Sequence, residues 1–488
     1  MSNRYKGSIM SSTQATSSLL AASGVWKQTE VAQLIASGWP NPNIDPYWTS
    51  VSMLLHGDGT NGAQNNTFID SSGNSVVLTR SGSATQGSYS AYAATAPYSS
   101  AAGSLYLSGT SDYVSIAASA NFSYSGDFTW ECWVYPITRP SQSCVIDYWI
   151  GNSPSQTIGQ CQLTYLSTGA AQFVYATSAS AFTVTNTAAG LVPLATWTHL
   201  AVVRSGTATG NVKIYVNGAL GATVSGAITG TLGASAAGSF GRTTSDSTSL
   251  MNGYISNARI VKGTAVYTAP FTPPTSPVTA ISGTSLLANF TNAGIYDNAM
   301  QNDLVTVGTA QVSTSVYKYG TGSMAFSGSG AWLTTADKTS LQLGTGDFTI
   351  EGWVYLNATG TAYGIVSKGA ASSGWSVNVT AGNLLSFGYT ATALTGTTAL
   401  SATTWYYFAV VRSGSGTGNL KIYLNGTLEA TSSGAVTDAF TQTNIMYVGA
   451  NRIGATPLNG YVDDLRITKG IARYTANFTP SAVSFPNQ

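Results

Sequence analysis

A chain of 488 residues has room for two or three domains, each with a full core. Charged residues make up only 8% of it, against about 25% in an average soluble protein, and the net charge is +1. That balance gives no handle for nucleic acid or an anionic membrane surface. Solubility rests instead on Ser, Thr, Asn and 53 Gly, a profile that suits β-sandwiches of extracellular or virion proteins rather than a cytosolic enzyme.

Residues 1–50 stand apart. Up to Ala22 they are rich in Ser and Thr and read as an extended arm. Arg4 and Lys6 are followed by Ser, Thr and Gln, without the apolar stretch of a secretion signal. No apolar run nears the ~20 residues that cross a bilayer, so no membrane insertion is expected. Release by lysis, as for a virus particle, fits that pattern. From Val25, the apolar residues Val31, Leu34 and Ile35 recur at helical spacing, with Gly38 as a stop and Pro40 unable to continue. So short a helix cannot bury its flanking Trp26 and Trp39 alone. Trp26, Leu34 and Trp39 are therefore the expected attachment surface, against the first repeat, a second copy of the chain or another protein. Residues 41–48 form a linker.

From Val51 onward the chain repeats itself. Gly126-Asp-Phe-Thr-Trp-Glu-Cys-Trp-Val-Tyr135 returns as Gly346-Asp-Phe-Thr-Ile-Glu-Gly-Trp-Val-Tyr355. Leu200-Ala-Val-Val-Arg204 returns as Phe408-Ala-Val-Val-Arg412, and Lys213-Ile-Tyr-Val-Asn-Gly218 as Lys421-Ile-Tyr-Leu-Asn-Gly426. The offset of about 210 residues is far above solenoid periods and marks a tandem pair of domains. The copies run over 51–277 and 282–480, joined by Pro273-Pro274-Thr-Ser-Pro277, with 481–488 as a tail. Phe128, Trp130, Cys132 and Val134 alternate with Thr129, Glu131, Trp133 and Tyr135, a period of two with large residues on both faces: a central strand. Each Asn-Gly supplies the positive φ angles of a tight hairpin. Many short strands with Gly, Ser and Asn turns, and no long helix after residue 40, predict an all-β chain of two sandwiches.

These motifs resemble the concanavalin A-like jelly roll of the laminin G type. They are Gly-Asp-Phe-Thr-x-Glu-x-Trp-Val, a Trp before a Val-Val-Arg strand, Lys-Ile-Tyr-x-Asn-Gly, and Gly-Tyr-x-x-x-x-Arg-Ile. The ends at 253–274 and 460–480, closing on Tyr-Thr-x-x-Phe-Thr-Pro, are similar to a version common in bacteriophage tail and virion proteins, marine cyanophages in particular. The resemblance implies tandem jelly rolls preceded by a short arm and helix.

The duplication also acts as a control on the chemistry, because a residue present in one copy alone is not needed by the shared fold. Cys132, Cys144 and Cys161 all lie in the first copy; they are expected as buried thiols, although Cys144 and Cys161 could meet across a hairpin. His56 and His199 are the two histidines, and Tyr407 stands at the second's place in the other copy. Glucanases of this fold set carboxylates along one strand, and the nearest match here is Asp127 with Glu131, repeated as Asp347 with Glu351. Strand positions four apart separate Cα atoms by about 13 Å, whereas a retaining pair needs its carboxyls about 5 Å apart. The chain has only four Glu, and a buried Glu needs a partner such as Arg204 or Arg412. Structural roles are expected for Glu131 and Glu351, and no enzyme activity.

No cofactor is expected apart from calcium, which laminin G relatives often bind at the sandwich rim. Its candidate ligands are Asp58, Asp70 and Asp297, although such loops also form Asx-turns without metal. Aromatics that only one copy carries, Trp149, Trp332 and Trp375, are the candidate glycan contacts, since a ring face covers the apolar face of a pyranose. Matched Trp133/Trp353 and Trp197/Trp405 are read as core. The expected function is a non-enzymatic bacteriophage virion protein, a fibre, appendage or capsid decoration, displaying two lectin-like sandwiches for adhesion to host-surface glycans. Its expected partners are other virion proteins through the N-terminal segment, a host glycan and further copies of itself, with no nucleic acid. The alternative is a secreted bacterial carbohydrate-binding protein or a glucanase-like enzyme.

Overall fold

The computed structural model describes residues 45–69, 71–87, 89–92, 103–149, 157–233, 237–245, 249–290, 295, 302–389 and 392–487. The expected helix with Trp26, Leu34 and Trp39 lies outside them, as do Asp70 and Asp297. Among the described residues the regular structure is strand, broken only by single 3-10 turns. No helix among them is long and apolar enough to cross a membrane.

Each repeat folds into two stacked antiparallel sheets, one of eight strands and one of seven. In the first, Phe128–Pro136 lies between Thr198–Arg204 and Asn252–Lys262. In the second, Phe348–Leu356 lies between Trp405–Arg412 and Asn459–Lys469. Period-two alternation sends Phe128, Trp130, Cys132 and Val134 inward, against Leu163, Tyr165 and Phe173 of the opposing sheet. Burial of each such side chain contributes about 1.5–3 kcal/mol. Thr129, Glu131, Trp133 and Tyr135 point to the outer face instead.

The repeats exchange a strand. Val51–Leu55 opens the first copy in sequence, yet it pairs with Asn459–Lys469 of the second, with Leu54 opposite Arg466. Thr284–Ala288 opens the second copy, yet it pairs with Asn252–Lys262 of the first, with Leu287 opposite Arg259. Met53 and Leu55 accordingly enter the core of the second sandwich, and Leu286 and Ala288 that of the first. The limits at 51–277 and 282–480 follow the repeats, but the sheets cross them. The two crossing segments are bonded to each other: the Asn65 amide donates to the Leu304 carbonyl at 2.8 Å and accepts from the Ile295 amide at 2.8 Å. Tyr254 of the first sandwich donates to Asp303 at 2.6 Å.

After its last long strand, each sandwich runs a strap back across the outer face of its own sheet. Tyr267 stacks on Phe271 at 3.6 Å, and Tyr474 on Phe478 at 3.5 Å. The Asn-Gly turns are shaped for this. Asn217 and Gly218 have φ of 48° and 78°, and a Cβ on Gly218 would stand 1.8 Å from the Phe271 carbonyl. Gly here therefore serves both the hairpin and the close approach of the strap.

The strand register sets Cys144 opposite Thr164 and Cys161 opposite Tyr148, so the two sulphurs do not face each other. All three cysteines are buried thiols.

Candidate functional site

The outer face of each eight-stranded sheet has two parts: an acidic centre under the strap, and a row of aromatic rings beyond it. In the first sandwich Glu131 is fully buried. One of its oxygens accepts from Arg259 Nε at 2.8 Å and Nη2 at 2.5 Å. The other accepts from the Tyr267 hydroxyl at 2.6 Å and lies 3.3 Å from His199 Nε2. Burial opposes its charge, but the His199 hydrogen bond and the Arg259 charge outweigh that and hold its pKa below the ordinary carboxylate value. In the second sandwich Glu351 accepts from Arg466 Nε at 2.9 Å and from Tyr474 at 2.7 Å. Tyr407 donates to the same carboxylate. His199 and Tyr407, unlike as residues, thus play one role.

The partners expected from sequence, Arg204 and Arg412, lie elsewhere: they donate to the carbonyls of Gly230 and Asp438, each at 2.8 Å. Position along the chain could not reveal this. Arg259 and Arg466 reach the glutamates because their strands lie beside the Glu-bearing strand, with Arg259 directly opposite Glu131 and Arg466 opposite Glu351. Arg466 also binds Asp45 at 2.8 Å, and Arg473 joins it there at 2.8 Å. The linker ahead of the exchanged strand is thereby tied to the same centre. Asp127 and Asp347 are engaged too, accepting from the amides of Gly206 and Gly414, each at 2.7 Å. Both carboxylates of each motif are thus held by donors.

Beyond the strap the rings stand side by side on neighbouring strands. Tyr355 lies directly opposite Trp405 on one side and Tyr461 on the other, with centroids 5.4 and 5.5 Å away. The first sandwich repeats the arrangement with Tyr135, Trp197 and Tyr254, at 5.4 and 5.9 Å. All are half-buried except Tyr254, which is buried. Trp197 and Trp405 therefore belong to the outer face, as do Trp133 and Trp353, and not to the core between the sheets. A match between the copies does not single out this row, because the aromatics that the fold itself needs are matched too. A binding face shared by both copies is matched as well.

Of the predicted glycan contacts, Trp375 is fully buried in the second core, so its ring offers no face to a ligand. Trp149 is 6% exposed and packs on Val174 and Ala176. Trp332 is half-buried beside Tyr447. The three do not form one site. Asp58 accepts from the Thr321 amide at 2.7 Å, the Thr321 hydroxyl at 3.1 Å and the Gly322 amide at 3.2 Å. That is a loop-capping pattern, with all three bonds on one carboxylate oxygen. Among the described residues no group of three or more His, Cys, Asp or Glu is placed to hold a metal ion.

A family model described as the concanavalin A-like lectin/glucanases superfamily matches residues 108–266 and 327–472. A search of curated proteins returns no match. Similar solved structures include mouse laminin alpha1 domains LG4-5, at 12% identity and a TM-score of 0.28, covering 80% of this chain and 98% of that one. Domain 4 of the extracellular arabinanase AbnA from Geobacillus stearothermophilus, in complex with arabinotriose, matches at 15% identity and 0.29, covering 36% and 87%. A heptameric SAP-like pentraxin from Limulus polyphemus matches at 14% identity and 0.30, covering 42% and 98%.

Proposed function

This chain belongs to the concanavalin A-like lectin/glucanases superfamily, and from that premise we propose that it is a non-enzymatic glycan-binding component of a bacteriophage virion surface. The observation that carries the binding half is the contrast on each outer face: the shared carboxylates are engaged in buried ion pairs, while the shared aromatic rings stand partly open beyond them. Uncharged aromatic rows, whose rings are inclined to one another by 55° and 76° in both sandwiches, offer apolar ring faces to the C–H groups of a neutral sugar. The virion half is supported by the Tyr-Thr-x-x-Phe-Thr-Pro endings and by the N-terminal segment with Trp26, Leu34 and Trp39, which would attach the protein to other virion proteins.

Two experiments test this reading. A panel of bacterial surface and plant polysaccharides should be bound without release of reducing ends. Hydrolysis that disappears in Glu351→Gln would overturn the non-enzymatic reading in favour of a glucanase. A chain lacking residues 1–44 should keep both sandwiches folded yet fail to join phage particles. Normal incorporation of that truncation would defeat the attachment role.

A further inference from the structure

The two aromatic rows differ in one respect that bears on how many ligands the chain can hold. In the first sandwich the Tyr89 ring sits over the row, with centroids 5.2 Å from Tyr135, 5.4 Å from Trp197 and 4.9 Å from Tyr254. The row also continues onto a fourth ring, since Tyr106 stands opposite Tyr254 at 5.1 Å. In the second sandwich the place opposite Tyr461 is taken by Ala325. Among the described residues, Tyr355, Trp405 and Tyr461 have no ring contacts except those within the row. Among the described residues the second row is therefore shorter, notched at Ala325 and without a ring in the place that Tyr89 takes.

The flanks differ in the same sense. Two positions beyond Tyr355 and two before Tyr461, on the same face, stand Asn357 and Asn459, whose exposed amides bond each other at 3.0 Å. The first sandwich has Ile137, 41% exposed, in place of Asn357. The second row and its flanks, Trp405, Tyr355, Tyr461, Ala325, Asn357 and Asn459, include no charged side chain.

We infer that the second sandwich alone carries an open subsite for one pyranose unit of a neutral glycan, and that Tyr89 fills the matching subsite of the first. The inference rests on the glycan-binding reading proposed for this chain. Tyr89 shows on this molecule that the row accepts one six-membered ring in contact with all three members, meeting Tyr135 and Tyr254 edge to face at 86° and 66° and Trp197 at a tilt of 40°. A pyranose has a ring of that size whose apolar C–H groups can meet the same ring faces, and its hydroxyls need the donors and acceptors that the Asn357–Asn459 pair supplies. Ala325 leaves the width that a sugar needs and a phenol ring does not.

The test is native mass spectrometry and calorimetry of the full chain with short neutral glucan, galactan, xylan and mannan oligosaccharides. The wild type should bind one oligosaccharide per chain, and Tyr89→Ala should bind two. Trp405→Ala should weaken wild-type binding about tenfold or more. Ala325→Tyr, which fills the notch at a partly exposed position, should do the same and keeps the test valid where Tyr89→Ala unfolds. Two ligands on the wild type, or undiminished binding in both Trp405→Ala and Ala325→Tyr, would overturn the inference and leave glycan binding standing. If neither the wild type nor Tyr89→Ala takes up any oligosaccharide, the glycan-binding reading falls with it.

Discussion

Glu131 and Glu351 stand where a glucanase reading looks for catalysis, yet each is ringed by donors and closed off by a strap tyrosine. A buried carboxylate facing arginine is costly to disturb from one side only, because the partner charge is left uncompensated. Glu351→Gln should lower stability by about 3–5 kcal/mol in urea titration, as expected when one partner of a buried pair is lost. A loss below about 0.5 kcal/mol would show that the network is not the anchor its geometry indicates. A second residue-scale prediction concerns pH. Asp463 is buried beside Asp464, and both effects push its pKa up to about 7, against three backbone amide bonds that lower it. The native state therefore holds a proton that the unfolded chain releases near 3.8, and stability falls as pH rises from there through about 7. His56 acts in the same direction. Burial opposes its charge, but the Asp464 hydrogen bond and charge outweigh that and raise its pKa above 6.5. Its contribution is present below 6.5 and is lost as pH rises through the raised value. Asp45 and Glu131, both lowered, lose their contributions at the acid end. The melting temperature should therefore peak in the mildly acidic range and fall across neutrality. A profile flat from about pH 5 to about pH 9 would contradict this.

At the level of elements, the exchanged strands are the least legible feature of the sequence. Val51–Leu55 and Thr284–Ala288 both offer a Leu pair to a partner strand, and the two candidate partners offer Arg-Ile in the same register. Local pattern cannot choose between equivalent pairings; only the path of the linkers can. The pairing is testable by cross-linking. Val51→Cys with Thr468→Cys, which stand directly opposite, should form a disulfide on mild oxidation. Val51→Cys with Val261→Cys, the pair that an unexchanged chain would bring together, should not; the opposite result would show each repeat closing on its own first strand. Extending the N-terminal deletion from residue 44 to residue 55 should expose the second core. It removes Met53 and Leu55 from that core, and Asp45 from Arg466 and Arg473. That truncation should aggregate or melt well below the shorter one, by light scattering and thermal denaturation. The Asn-Gly turns, by contrast, were plain from the sequence, because positive φ at both positions is a local demand.

For the whole molecule, reciprocal exchange makes each sandwich incomplete without chain from the other repeat's end of the sequence. The crossing segments are also bonded to each other through Asn65. The pair should unfold in a single calorimetric transition, whereas two independent domains would give two. Two well-separated endotherms would show that the exchange does not couple them. The same pairing links the two outer faces, one row covered by Tyr89 and the other open. A repeated domain need not double the valence.

The sequence by itself determined the class and number of the domains. Period-two alternation, matched motifs and Asn-Gly turns are local or repeated signals, and they survive without coordinates. It also showed that Asp127 and Glu131, like Asp347 and Glu351, sit four positions apart on one strand, about 13 Å between Cα atoms. Only the tertiary structure decided which arginines face those glutamates, which tryptophans are covered, and which repeat each first strand joins. The reason is the same in each case: these are contacts between strands that are not neighbours in local sequence, some of them as far apart as the 128 residues between Glu131 and Arg259. Such contacts depend on how the sheets stack and how the linkers cross. Trp375 and Trp405 illustrate it side by side. Copy comparison read the unmatched ring as surface and the matched ring as core, and the fold put the first inside and the second on the outer face.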